Sequence, residues 1–281
     1  MLSKRFEILE KEFLTGDVVR MRINAPLVAS HAKAGQFFIV RVDEKGERIP
    51  LTLCDFYPDG TIESVFQVVG TTTAKLSLLN EGDSVLDIVG PLGKPTNIDF
   101  TETRVACAGG GVGIAAIYPI ARALIKSGKD TRLMLGARDK EHLILLEKIK
   151  ELGVKFDIAT DDGSLGIKGF VTEILEHLIH EWKPEKVIAV GPVPMMMAVS
   201  RLTGKYSIPT VVSLNPIMLD GTGMCGTCRV QVGGETRFAC VDGPEFDGHE
   251  VDWGVLSSRL SAYKREEEES FKLFKKDCQS S

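Results

Sequence analysis

The chain has 281 residues, 43% hydrophobic and 26% charged, an ordinary globular composition with length for two or three compact domains. Its formal net charge of -5 gives no broad attraction to nucleic acid, and no basic run suggests an anionic membrane surface. No apolar stretch reaches the roughly 18 residues of a membrane-crossing helix. The opening MLSKRFEILEKEF lacks the apolar core of a signal peptide. Three of the six cysteines fall in one short segment, which argues for a metal site in a reducing cytoplasm rather than a disulfide framework.

Residues 1–99 read as β-structure. FFIVRV, SVFQVV and SVLDIV are β-prone runs separated by the turn-like DEKGE, YPDGT and NEGD. Short, closely spaced strands predict a small antiparallel barrel, interrupted by one helix around Thr73–Leu79. The rhythm changes near residue 103. Strand-like TRVACA, RLMLGA, KFDIATDDG, KVIAVGP and TVVSL alternate with helix-like IAAIYPIARALIKSG, EHLILLEKIKELG, FVTEILEHLIHEW and MMMAVSRLTG. That alternation predicts a parallel α/β sheet of Rossmann type over residues 100–214. Ile174, Leu175, Leu178 and Ile179 share one predicted helix face. Residues 215–256 are glycine-rich, too short for a core of their own, and contain the cysteine cluster; such a segment is held together by what it binds. Residues 257–281 read as a helix, with KREEEES solvated and Phe271, Leu273 and Phe274 available to pack.

The first α/β strand runs into Gly109, Gly110, Gly111, Val112 and Gly113, followed by a helix. From Gly111 the spacing fits G-x-G-x-x-A. Glycines admit a pyrophosphate close to the backbone, and a helix N-terminus offers free amides; a ligand-free tight turn gives the same letters. After the second strand, Asp139 is placed to bond a ribose and Arg138 to pair with a 2′-phosphate, so NAD and NADP both remain open.

Cys225-x-x-Cys228 with Cys240 supplies three thiolates. Asp220 stands five residues before Cys225, where plant-type spacing would place a fourth ligand, and a carboxylate is a harder donor than thiolate. The spacing favours a [2Fe-2S] cluster; a structural zinc or a metal-free CxxC remain as alternatives. Zinc together with the glycine loop would make a nucleotide-sensing protein rather than an enzyme. Cys54, Cys107 and Cys278 read as isolated thiols.

In this order, the barrel, the GGGVG unit and the C-terminal cysteines resemble the ferredoxin–NADP reductase superfamily. Within it the chain is similar to the electron-transfer subunits of dihydroorotate dehydrogenase. It is closer still to the small subunits of electron-bifurcating NADH-dependent reduced ferredoxin:NADP oxidoreductases. The resemblance covers all but about the last 25 residues. Arg48, Ile49, Pro50, Leu51 and Thr52 match the family's flavin strand. It implies that Thr52 contacts flavin phosphate and that Pro50 and Leu51 line the isoalloxazine. The family's arginine stands three residues before the Ser/Thr, where this chain has Ile49; Arg48 is displaced by one, and strand neighbours point to opposite faces. Val65, Phe66 and Gln67 match a second flavin strand, and Gly70, Thr71, Thr72 and Thr73 its pyrophosphate loop. Gly90-Pro91-Leu92-Gly93 resembles the turn closing the flavin unit. Asp161 and Asp162 after Thr160, and Gly191 and Pro192, match nicotinamide-side strand ends.

The resemblance further implies FAD, a [2Fe-2S] cluster on Asp220, Cys225, Cys228 and Cys240, and NAD(H), with NADP(H) also compatible. Dihydroorotate dehydrogenase partners carry cysteine at the Asp220 position, whereas the bifurcating small subunits carry aspartate. The implied activity is oxidation or reduction of NAD(H) at FAD with single electrons relayed through the cluster. It requires a larger flavin and iron–sulfur catalytic subunit, in a heterodimer or higher assembly, with ferredoxin reached through that complex. No catalytic acid or base is implied.

Overall fold

A computed structural model describes residues 5–280. Its first part runs β1 (Ile8–Phe13), β2 (Val18–Asn24), α1 (Pro26–Ala29), β3 (Phe37–Arg41), β4 (Arg48–Thr52), β5 (Asp55–Phe56), β6 (Thr61–Gln67), α2 (Thr71–Leu78) and β7 (Asp87–Leu92). Hydrogen bonding divides these strands into an antiparallel four-stranded sheet, β1-β2-β6-β5, and a three-stranded sheet, β4-β3-β7. The expected barrel is thus two sheets closed over one core that includes Ile8, Met21, Phe38, Ile62 and Leu76. Strand β3 shows why. Phe38 and Val40 point into that core, while Phe37 and Ile39 point the other way into a separate apolar cluster. This is the period-two alternation of a strand buried on both faces. The predicted helix is present but begins two residues early, at Thr71.

The second part comprises β8 (Arg104–Gly110), α3 (Gly113–Lys126), β9 (Asp130–Ala137), α4 (Leu146–Glu151), β10 (Lys155–Thr160), β11 (Ile167–Lys168), α5 (Val171–Glu181), β12 (Lys186–Val190), α6 (Val193–Lys205) and β13 (Thr210–Ser213). β14 (Arg229–Val232), β15 (Glu235–Phe238), β16 (Glu245–Asp247), α7 (Trp253–Leu260) and α8 (Lys264–Ser280) follow. The main sheet is ordered β11-β10-β9-β8-β12-β13-β16 and is parallel except at the β13–β16 pair. Central β8 and β12 are covered on both faces, so they read as unbroken apolar runs, with Val105, Ala106, Cys107 and Ala108 all at 0% exposure. The α5 face of Ile174, Leu175, Leu178 and Ile179 is buried as expected. Each such side chain contributes roughly 1.5–3 kcal/mol.

Three elements differ from the sequence expectation. EHLILLEKIKELG forms only a 3-10 turn, Lys140–His142, and the short α4. Leu143 and Ile144 are pulled into the core and Leu145 takes a left-handed φ of 58°, so burial of two adjacent apolar residues overrides helix propensity. The tail is two helices, because Asp252 caps α7 through the Val255 amide and the chain turns after Leu260. On α8, Phe271 and Phe274 are half-buried, whereas Leu273 is 63% exposed; three residues separate helical neighbours and two do not. Finally, the cysteine segment is not separate from the α/β sheet: its β16 forms the sheet's edge. Gly233 and Gly234, both at positive φ, make the two-residue turn between β14 and β15.

Candidate functional site

A cleft of about 510 Å³ opens where β8, β9, β10 and β12 end, the position at which open α/β sheets bind ligands. Of the residues expected there, Gly110, Gly111, Arg138, Asp161 and Pro192 line it, joined by Gln67 from the first unit. Gly109, Val112, Gly113, Asp162 and Gly191 stand beside it without lining it. The glycines have distinct reasons. Gly111 turns the chain at φ +54°, and a Cβ on Gly113 would lie 2.3 Å from Val190 O, so α3 can meet β12 only through glycine. Helix α3 has no side-chain cap, and the Ile114 and Ala115 amides donate to Gly111 O and Val112 O, so an anion there would meet the amides of the turn ahead of them.

The cleft also gathers residues that the sequence did not single out. His142, Phe170 and Met195 line it. Asp17, in the β1–β2 turn, accepts from Gln67 Nε2 at 2.7 Å and lies 3.6 Å from His142 Nε2 and 3.8 Å from Arg138. The hydrogen bond from Gln67 holds the Asp17 carboxyl below its usual range against the opposing effect of burial, helped by Thr15 and by the Arg138 charge. His142 Nδ1 donates to Asp139 Oδ1 at 2.6 Å, and Arg138 donates to its Nε2. Asp139 Oδ1 also accepts the Glu141 and His142 amides. Asp139 Oδ1 therefore caps the 3-10 turn and Asp139 does not line the cleft, whereas Asp161 does. Asp162 turns away to the Ser164 amide and hydroxyl. The one signal for His142 was its spacing, three residues after an Asp that could cap a turn.

On β4, Ile49 and Leu51 belong to the core, so Arg48, Pro50 and Thr52 share the opposite face. An arginine at position 49 would be directed inward, whereas Arg48 shares the face of Pro50 and Thr52. Leu51, only 8% exposed, has its side chain in the core and not on a ligand-facing surface. Val65 and Phe66 are both 4% exposed and pack on opposite sides of β6, Val65 against the α/β unit and Phe66 inside the first. At the start of α2, Thr73 Oγ1 accepts the Val69 and Gly70 amides, and Thr72 donates to Glu47 at 2.8 Å. Both hydroxyls are thus committed to shaping the turn, and an anion there would meet backbone amides.

Cys228 and Cys240, each 2% exposed, lie with sulfurs 3.1 Å apart in an apolar cluster containing Phe37, Ile39, Met218 and Ala239. The outward face of β3 thus seats the cysteine segment on the first unit. Burial, and then the Cys228 sulfur, push the Cys240 thiol up to about 12. Cys225 is exposed, and its thiol is lowered by the Thr227 hydroxyl and amide. Asp220 Oδ2 accepts the Thr222 amide at 3.0 Å, the Thr222 hydroxyl and the Met224 amide at 3.3 Å. Those bonds, the Thr222 hydroxyl first, hold its carboxyl below the usual range. Gly221, Gly223 and Gly226 all have positive φ, wrapping the loop around these donors. Among the described residues no three His, Cys, Asp or Glu side chains converge as a preassembled metal site. Two packed thiols, one activated thiol and one carboxylate with a spare oxygen are nevertheless a donor set suited to an iron–sulfur group that assembles its own segment.

A dinucleotide cleft beside a small β-unit and a cysteine loop defines a nicotinamide-dependent oxidoreductase of the ferredoxin-reductase fold. Residues 108–201 match the oxidoreductase NAD-binding domain, and residues 215–252 match the iron–sulfur cluster binding domain of dihydroorotate dehydrogenase B. A homolog of the dihydroorotate dehydrogenase B (NAD(+)) electron transfer subunit from Thermotoga maritima is 48% identical over 271 residues, 96% of this chain and 95% of that one. The corresponding subunit of Desulforamulus reducens is 32% identical, covering 90% and 100%. A solved chain of the NADH-dependent reduced ferredoxin-NADP oxidoreductase, described for flavin-based electron bifurcation, is 47% identical, covers 96% and 98%, and superposes with a TM-score of 0.90. The chain belongs to the dihydroorotate dehydrogenase B electron-transfer subunit family.

Proposed function

We propose that this chain is the electron-transfer subunit of a bifurcating NADH, ferredoxin and NADP oxidoreductase. It exchanges hydride with NAD(H) at FAD and relays single electrons through a [2Fe-2S] cluster to a larger flavin and iron–sulfur subunit. One observation carries the reading: the small β-unit offers Gln67 to the dinucleotide cleft and Phe37 and Ile39 to the cysteine loop. It therefore stands between the two redox stations. FAD bound there takes two electrons as hydride and can give them up singly, the conversion a one-electron cluster requires.

The chain's own residues position rather than react. The glycine turn from Gly110 to Gly113, ahead of α3, receives the dinucleotide pyrophosphate. Arg138 adds charge, Asp161 receives a ribose hydroxyl, and Pro192 with Gly191 closes the nicotinamide end. Pro50, Thr52, Gln67 and the Gly70–Thr73 turn would hold the flavin and orient it toward the nicotinamide end of the cleft. Cys225, Cys228, Cys240 and the free oxygen of Asp220 hold the cluster. Residues 1–99, 100–214 and 215–256 serve as flavin, dinucleotide and cluster units, with 257–281 as an appended helical tail. No described helix is long and apolar enough to cross a membrane, and the unpaired thiols suit a cytoplasmic setting.

A second reading is the electron-transfer subunit of dihydroorotate dehydrogenase, which the names of the relatives support. Anaerobic purification separates them. Copurification with a larger flavoprotein that reacts with NADPH supports the first reading, and with a dihydroorotate-oxidising subunit the second. A colourless chain containing zinc and no acid-labile sulfide overturns both.

A further inference from the structure

The strand that carries the proposed flavin contacts also touches the cluster loop. Arg48 opens β4 on the face of Pro50 and Thr52, and its Nε donates to Leu219 O at 2.9 Å across 171 positions of sequence. Leu219 directly precedes Asp220. The Arg48 guanidinium is thus bonded one residue from Asp220, whose Oδ2 is held by the Thr222 and Met224 amides and the Thr222 hydroxyl. Strand β4 is paired with β3 along its length, from Arg41↔Arg48 to Phe37↔Thr52. Phe37 and Ile39 of β3 in turn support Cys228 and Cys240. The thiol side and the carboxylate side of the donor set are therefore anchored to one sheet.

We propose that Arg48 is a positioning residue of the iron–sulfur site, fixing the 219–220 turn to the flavin strand and keeping a positive charge beside the Asp220 carboxylate. This rests on the reading of Asp220 as a cluster ligand. The chemistry gives the sign. Reduction adds negative charge to the cluster, so a nearby cation favours the reduced form. Its removal lowers the midpoint potential. Loss of the hydrogen bond frees the loop and speeds loss of iron, by about tenfold for a charge-assisted bond of ordinary strength.

The test uses full-length holoprotein of wild type, R48Q, R48K and D220C, prepared without oxygen. Redox potentiometry followed by EPR, flavin content and the rate of iron release to a chelator are recorded. A lower cluster potential and faster iron release in R48Q, with flavin retained and with R48K near the wild-type potential, support the assignment. Flavin loss from R48Q with an unchanged cluster overturns it, since Arg48 would then serve the flavin phosphate. Unchanged potential and iron release in R48Q, with an altered D220C spectrum, overturn the Arg48 assignment alone. An unchanged D220C spectrum removes the ligand reading and the Arg48 role with it. Should R48Q precipitate, R48K decides: faster iron release at wild-type potential supports the anchor, and wild-type release overturns it.

Discussion

Lys148 Nζ lies 2.6 Å from Glu63 Oε1 and joins α4 of the α/β unit to β6 of the flavin unit. The bond is part of a buried network. Tyr57 donates to Glu63 Oε2, Arg122 donates to Asp55 at 2.7 Å, and Lys148 lies 3.6 Å from Asp55. Glu63 and Asp55 are 1% and 3% exposed. Burial lowers the Lys148 pKa, but the Glu63 carboxylate more than offsets it and keeps it raised. Two cations from one unit thus face two carboxylates from the other, which sets the angle at which the dinucleotide cleft meets the flavin strands.

Breaking one half of such a pair strands a buried charge. Glu63→Ala is expected to lower stability by about 3–5 kcal/mol, and Glu63→Ala with Lys148→Met to recover part of that loss. Urea unfolding of the single and double variants measures the difference. Equal loss in both would show that the pair is not coupled.

Glu245 gives a pH signature. Its carboxyl sits on β16 with the Thr96 hydroxyl 2.5 Å away, and burial raises its pKa to about 7, against a smaller opposing effect of Thr96. The folded state therefore binds this proton more tightly than the unfolded chain. Its contribution to stability is fully present below the unfolded value near 4.5, falls as pH rises toward 7, and is flat above. Glu245→Gln keeps a hydrogen-bonding group and removes the titration. Relative to wild type, the variant should gain roughly 2 kcal/mol between pH 5 and pH 8. Thermal unfolding across that range checks it, and parallel curves would refute it.

At the cleft, Arg138→Ala should raise the KM for NADH about tenfold or more while flavin content stays constant, since a charge-assisted contact is worth about 1.5–3 kcal/mol. Stopped-flow reduction of the flavin at varied NADH separates binding from the hydride step. An unchanged KM would take Arg138 out of the dinucleotide contacts.

Gly113→Ala places a methyl against the Val190 carbonyl. The strand and helix must separate to admit it, at a cost of about 1–3 kcal/mol. Gly70→Ala, which meets nothing within 4 Å, is the control and should unfold near the wild-type midpoint. Comparable losses in the two would mean that the α3–β12 approach is not the constraint.

The sequence carried the α/β rhythm well because buried parallel strands and amphipathic helices write period and run length directly into the chain. Ile174, Leu175, Leu178 and Ile179 show this. It was less informative where a long-range partner decides. Asp139 looked like a ribose acceptor, but the capping of a turn claimed it. Arg48 looked like a displaced phosphate ligand, yet its partner, Leu219, lies in the cysteine segment. Asp17 has no local motif at all; it meets the cleft-lining Gln67, Arg138 and His142 because the β1–β2 turn leans on Gln67. The cysteine spacing was legible, whereas the membership of β16 in the α/β sheet was not, since three residues pairing with β13 leave no periodic trace.

That last pairing ties cofactor content to solubility. Val211, Val212 and Ser213 of β13 are paired by Asp247, Phe246 and Glu245, and β16 begins five residues after Cys240. With Cys240 as a cluster ligand, a chain that fails to acquire iron would lose one fastening of this short edge strand and bare the backbone of β13, a template for sheet-to-sheet association between copies. Iron-starved preparations should accordingly clump rather than persist as a quiet apoprotein, and supplying iron and sulfide during synthesis becomes a condition of yield.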